Sequence, residues 1–184
     1  MPLRNSQQDY GAIARSAHWA TALFVLLAWL LGQFRDALPR GAARDAGLSV
    51  HMALGLGVIL LIVLRLSWRA LDPPPPAIVA KRFEPWLGYA ASAGHLLLYA
   101  LLIAAPILGI VVQLARGQAL PVFGLFDIPS PWTMDRAFFR QMLELHSLAA
   151  DALGVVAAGH AAAALFHHWA LGDRTLARML PGLR

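Results

Sequence analysis

Four stretches of the chain are each apolar over the length that a lipid bilayer demands, and this constrains the fold more than any other feature. A hydrocarbon core about 30 Å thick needs roughly 20 residues of α-helix to cross it. Residues 17–34, 48–68, 86–114 and 145–171 meet that requirement, and the last two are long enough to tilt or to project. In lipid, every backbone amide and carbonyl must find its partner within the protein, so runs of this length become helices. The expected fold is all-α, an integral membrane four-helix bundle forming one domain over residues 1–184 with no internal repeat.

Composition disfavours the alternatives. Only 14% of the 184 residues are charged and 59% are hydrophobic, against about 25% charged in an ordinary soluble domain. Too few charged side chains remain to cover a water-soluble globule. No nucleic-acid partner is therefore expected, although a sequence pI near 10.7 would otherwise suggest one. The chain has no cysteine, which removes disulfide scaffolds, thiolate metal sites, iron–sulfur clusters and covalently attached c-type haem.

Polar segments rich in helix breakers join the four spans. Asp72 and the run Pro73 to Pro76 stop the second, because proline lacks an amide hydrogen and restricts the residue before it. Gly117, Pro121, Gly124, Pro129 and Pro131 punctuate the longest loop, whose Phe123, Phe126 and Trp132 suit the membrane interface. The first span has Arg4 and Arg15 as a basic flank, as a signal peptide would. Arg35 and Asp36 follow it with no small-x-small cleavage pattern, so it is read as a retained helix.

Arginine and lysine counts set the orientation. Arg4, Arg15, Arg65, Arg69, Lys81, Arg82, Arg174, Arg178 and Arg184 fall on one side, and Arg35, Arg40, Arg44, Arg116, Arg136 and Arg140 on the other. Nine against six favours both termini in the cytoplasm. The acids Asp9, Asp72, Glu84 and Asp173 lie on the inner side, and Asp36, Asp45, Asp127, Asp135 and Glu144 on the outer.

The seven histidines carry the chemistry. His18, His51, His95, His146 and His160 lie within the spans, and His167 and His168 at an end. Ionisable groups inside a membrane are expensive and usually functional, and without cysteine, paired neutral imidazoles point to metal or haem ligation. His146 and His160 are separated by about 21 Å of helix rise, yet by only about 40° around the axis. One helix thus presents two imidazoles on one face at two depths, which suits two stacked haems and not one compact zinc site. With both termini inside, His51 and His146 are outer, and His160, His18 and His95 inner. The outer haem has His51 with His146, and the inner has His160 with either His18 or His95. The residue four positions on shares a ligand's face and must leave room for a porphyrin. It is small after His18 (Ala22), His51 (Gly55), His146 (Ala150) and His160 (Ala164), but is Tyr99 after His95. This favours His18. The plainer alternative is histidines hydrogen-bonded between helices.

Several motifs now group together. They are Ser16-Ala17-His18-Trp19, His51 with Gly55, and Gly94-His95-Leu96 leading to Pro106-Ile107-Leu108-Gly109. Further on come Arg116-Gly117, Phe123-Gly124-Leu125, the run from Gly159-His160 to His167-His168, and the ending from Asp173 to Pro181. In order and spacing the chain resembles the bacterial di-haem cytochrome b561 family, and within it the superoxide oxidases. The resemblance implies a four-helix bundle of the bacterial inner membrane with two non-covalent haems b. It implies His18 with His160 on one and His51 with His146 on the other. It further implies electron transfer from superoxide to ubiquinone, giving dioxygen and ubiquinol, with no obligate protein partner. Asp151 departs from the family pattern, which has a neutral amide there. By helix geometry it stands about 140° around from His146, away from the histidine stripe, and is expected to bond a polar group on another helix, the alternative being a proton-relay role.

Quinone reduction takes up protons, so a site near the cytoplasmic ends is expected. His167, on nearly the same face as His160, is the first candidate for quinone ligand or proton donor, against a role as an interfacial cap. His95 is the second, and His168 is expected to be solvated. Arg65 shares the face of His51 at the inner depth, and Arg15 stands one turn before His18. Each is a candidate for a haem propionate or the quinone, against snorkelling to the interface. The outer arginines would steer superoxide if they cluster above the outer haem. A second functional reading is a cytochrome b anchor subunit of a hydrogenase- or dehydrogenase-type quinone-reducing complex. A third is a colourless transporter or structural bundle.

Overall fold

The structure, a computed structural model, describes residues 2–76, 78 and 86–180. Lys81, Arg82, Glu84, Pro181 and Arg184 lie outside the described residues. Among those described are four long helices, α1 (Ala12–Gln33), α2 (Ala42–Leu71), α3 (Trp86–Ala115) and α4 (Arg136–Trp169). Each contains a stretch long and apolar enough to cross a membrane. The protein is a multi-pass membrane four-helix bundle.

Three helices begin earlier than the apolar runs indicate. A run ends at the first polar residues, but a helix leaving the lipid continues through them, since Arg, Gln and Glu are good helix formers. Thus α4 extends back through Glu144, Gln141 and Arg140 to a cap, where an Asp135 carboxylate oxygen accepts the Ala137 and Phe138 amides at 2.8 and 3.2 Å. It ends at Trp169, two residues short of the expected end. α2 stops before Pro73, while Pro106 sits inside α3 without ending it.

The long loop, expected to be irregular, contains a small antiparallel hairpin. In it β1 (Leu120–Val122) pairs with β2 (Phe126–Ile128), Leu120 lying opposite Ile128. Its turn needs two successive left-handed residues, Phe123 (φ 52°) and Gly124 (φ 71°). The Leu125 amide closes it on the Val122 carbonyl at 3.0 Å.

α1 packs chiefly on α2, α3 on α4, and α2 on α3, whereas α1 meets α4 only slightly. Val58, Ile62, Leu102 and Leu153 form the bundle core, flanked by Phe24 and Val25 of α1. Leu23, Leu26, Leu60, Val63 and Leu64 face outward, as a lipid solvent allows.

The two ends differ. One, the hairpin end, carries the hairpin and a 3₁₀ turn at Arg35–Ala37. The other, the terminal end, knots three segments together. The Asn5 amide donates to the Asp72 carboxylate at 2.8 Å, and Arg178 Nη1 to the Pro76 carbonyl at 2.8 Å. Arg174 meets Asp9 at 3.2 Å, and Trp19 Nε1 donates to the Met179 carbonyl at 2.9 Å. Both termini and the 72–76 loop thus share one end.

Candidate functional site

The histidines gather at two levels. Towards the hairpin end, the His51 and His146 rings lie 6.0 Å apart, centre to centre. Their Nδ1 atoms sit 2.8 Å from the Ala28 carbonyl and 2.9 Å from the Ala105 carbonyl. A carbonyl can only accept, so each Nδ1 carries the proton and each neutral ring is left with a bare Nε2. Helices α1 and α3 therefore hold the tautomers of histidines on α2 and α4.

A cavity of about 680 Å³ opens beside this pair. His51, Gly55, Gly109 and His146 line it, together with Arg35, Arg44 and Arg116. Three of the six arginines assigned to this side thus gather around one histidine pair. A Cβ added at Gly55 would meet nothing within 4 Å, whereas at Gly109 it would lie 3.1 Å from His146 Cε1. Gly55 leaves open space, and Gly109 lets the His146 ring lie close against α3. Trp29 Nε1 and Arg44 Nε are buried without a partner on this cavity's lining residues.

Towards the terminal end, His160 lies between two rings. His18 is 6.3 Å away and His95 5.3 Å. Arg65 joins them, with Nη2 3.4 Å from His18 Nδ1 and its guanidinium 5.6 Å from the centre of the Tyr99 ring. A guanidinium only donates, so His18 Nδ1 accepts here, which is the reverse of the tautomer at the other level. Arg15 stands in the first turn of α1, one turn before His18.

His167 is engaged by a residue the sequence reading did not connect to it. Its Nδ1 is 2.6 Å from Asp173 Oδ2, and both side chains are mostly buried. Burial alone would raise the Asp173 carboxyl, but hydrogen bonds from Thr175 and His167 outweigh it and hold it below its usual value. His168, expected to be solvated, is partly buried with its ring 6.3 Å from that of Trp169.

Asp151 requires a correction. It accepts a hydrogen bond from Gln33 of α1, the interhelical partner expected of it. Yet it lines the cavity with His51 and His146 instead of pointing away from the histidine site. The angular offset along α4 is right, but the cavity reaches around to the loosely packed α1 side and is broader than one helical stripe.

A family model described as prokaryotic cytochrome b561 matches residues 9–182. The chain belongs to the prokaryotic cytochrome b561 family. Among its relatives, cytochrome b561 homolog 2 of Escherichia coli (strain K12) is 34% identical over 98% of this chain and 95% of its own. A probable superoxide oxidase, CybB, of Yersinia pestis is 31% identical over 96% and 98%. Cytochrome b562 of Cereibacter sphaeroides is 31% identical over 95% and 96%.

Cytochromes b561 bind b-type haem and transfer electrons within membranes, so haem is the group to test against these pairs. One metal between two imidazoles, with bonds of about 2.0 Å and ring centres about 1.1 Å behind each nitrogen, separates the centres by about 6.2 Å. His51 with His146 at 6.0 Å and His18 with His160 at 6.3 Å fit this span. His95 with His160, at 5.3 Å, is about 1 Å short. The cavity at the first pair is of cofactor size. At the second pair the spacing fits, but ligation through His18 Nε2 needs the proton on Nδ1 and hence Arg65 moved aside.

Proposed function

We propose that this cytochrome b561 holds two haems b and oxidises superoxide to dioxygen at its hairpin end while reducing ubiquinone to ubiquinol at its terminal end. His51 and His146 hold one haem and His18 and His160 the other. The hairpin end faces the periplasm, and both termini lie in the cytoplasm. The observation that carries this reading is the His51–His146 pair, tautomer-locked 6.0 Å apart on the wall of a cavity lined by three arginines. The relative described as a probable superoxide oxidase supports it.

When bound, haem supplies a one-electron carrier at each level of the bundle. The chain's own residues do the rest. Hydrogen bonds to Ala28 and Ala105 fix the orientation of His51 and His146, as partners of ligating imidazoles commonly do. Arg35, Arg44 and Arg116 concentrate a small anion at the cavity, an effect worth roughly 10- to 1,000-fold in encounter rate. Two superoxide anions each give up one electron and leave as dioxygen. One ubiquinone takes up two electrons and two protons. His167, held through Nδ1 by ionised Asp173, presents Nε2 as the proton donor to a quinone oxygen. His95 is the second quinone contact. Arg65, once off His18, is the cation for a propionate or quinone oxygen, and Arg15 shares that role. The protein acts without an obligate partner subunit.

The test is a superoxide pulse on the purified protein, followed by haem absorbance with and without ubiquinone. Haem reduction without quinone and rapid reoxidation with it are expected, with a faster first phase at low salt. Haems that superoxide leaves oxidised would reject the activity, and a flat salt response would reject the arginine steering.

A further inference from the structure

Arg65 is a cation within a membrane-crossing helix, and among the described residues no carboxylate pairs with it. A charge so placed is costly unless something holds it. Its Nη2 stands 3.4 Å from His18 Nδ1, longer than a good hydrogen bond. Its guanidinium carbon stands 5.6 Å from the centre of the Tyr99 ring, within the roughly 6 Å over which a ring face attracts a cation. The fold fixes that ring. Val58, Ile62 and Arg65 recur at helical spacing along α2. Val58 and Ile62 belong to the core against which Tyr99 packs from α3. Tyr99 also follows His95 by four residues, so it shares the helix face that meets His160. The ring beneath Arg65 is therefore anchored in the bundle core, one turn from the terminal-end histidines.

On the proposed reading that His18 and His160 hold a haem, we infer that Tyr99 is a positioning residue. It holds the Arg65 guanidinium inside the terminal-end site and presents it to an oxygen that carries negative charge. Ligation through His18 Nε2 puts a proton on Nδ1, and two donors cannot bond each other, so Arg65 loses that contact. Of the two holds, the Tyr99 face is the one that remains. Without it, the long arginine stem carries the charge outward to the interface. A carboxylate partner would take two of the guanidinium's N–H donors, whereas a ring face leaves them for an acceptor oxygen. Two oxygens of this chemistry belong to the proposed function, a haem carboxylate and the quinone oxygen being reduced.

The experiment places phenylalanine at position 99 of the full-length protein, then phenylalanines carrying one to three ring fluorines. Fluorine withdraws charge from the ring face with little change of shape, so a ring that merely fills space is unaffected. Each purified protein is measured for haem per chain, for both haem potentials, and for reoxidation of chemically reduced haems by a short-tailed ubiquinone. Each fluorine should lower kcat/KM for ubiquinone or the electron affinity of one haem. The loss reaches about tenfold at three fluorines, or 59 mV where it is a potential. A loss in kcat/KM with both potentials unchanged assigns the oxygen to the quinone, and a fall in one potential assigns it to a haem carboxylate. In an Arg65→Gln background the series should be flat, because no cation remains for the ring to hold. A flat series with Arg65 present, or equal slopes in both backgrounds, would overturn the inference. Tyr99→Leu, which removes the ring face, gives a second test by the same comparison, and an equal effect with and without Arg65 overturns it too. One haem per chain in the wild type would overturn the site reading and this inference with it. Wild-type haems that ubiquinone leaves reduced would reject quinone reduction alone, and the potentials then decide.

Discussion

On the proposed two-haem assignment, Gly109→Ala should cost this protein a haem while making its helix intrinsically better. Alanine in a helix interior is favoured over glycine by about 1 kcal/mol, so on propensity alone α3 gains. The new methyl, however, would lie 3.1 Å from His146 Cε1 and 3.4 Å from Nδ1. Carbon atoms rest about 3.5–4.0 Å apart, so the ring must retreat from α3 by roughly half an ångström. The carbonyl that holds it, on Ala105, belongs to the same helix one turn earlier. Retreat therefore stretches the 2.9 Å bond towards about 3.4 Å, outside the good range. Loss of such a supporting hydrogen bond weakens metal binding by about 10- to 100-fold. Gly32→Ala is the control, because its methyl would stand 3.6 Å from His51 Cε1, an ordinary contact. Haem per chain, measured by absorbance during stepwise haem dilution, should fall to one in Gly109→Ala and stay at two in Gly32→Ala. Circular dichroism should show full helix content in both. Two tightly held haems in Gly109→Ala would refute the packing argument.

Two further expectations follow from the same geometry. His51→Ala or His146→Ala should remove one haem and spare the other, and equal loss of both would undo the assignment of pairs to levels. His167→Ala should slow quinone reduction while haem reduction by superoxide persists, and unchanged turnover would reject its role. The His167–Asp173 contact also predicts an acid limit. A carboxyl held below its ordinary value of 3.8 contributes stability that is fully present above that value and lost as pH falls through the lower folded one. Hydrogen-exchange protection of residues 170–180, taken relative to the intrinsic exchange rate at each pH, should therefore hold steady from pH 7 to 5 and be lost only in stronger acid. A loss already at pH 5 would contradict it.

The spans and the two histidine levels were legible because each depends on spacing along a helix. His146 and His160 fall on one face at two depths in any α-helix. The helix ends were not legible, because Arg140, Gln141 and Glu144 continue α4 past the apolar run that marks it. Nor were the carbonyls of Ala28 and Ala105, since every residue carries that acceptor and only packing selects which one a histidine meets. Asp173 lies beyond the end of α4, and its return to His167 depends on the turn at Gly172 (φ 65°). The facing of Asp151 was missed because an angular stripe describes one helix, whereas a cavity is bounded by several.

The two histidine levels are built to different rules, and the difference matches the two half-reactions proposed for them. At the hairpin end, both rings are held by backbone carbonyls of neighbouring helices, which bear no net charge and cannot swing away. Such a site is set before any substrate arrives, which suits a reactant that only gives up an electron. At the terminal end, His18 is met by the long side chain of Arg65, and a third imidazole, His95, lies with its ring centre 5.3 Å from that of His160. His167, His95 and Arg65 supply exchangeable protons and a movable positive charge where a quinone must gain two protons with its two electrons. A rigid acceptor set at one end and titratable groups at the other would let a single bundle separate electron uptake from proton uptake. Replacing Arg65 should therefore disturb the quinone half-reaction and leave the superoxide half-reaction intact.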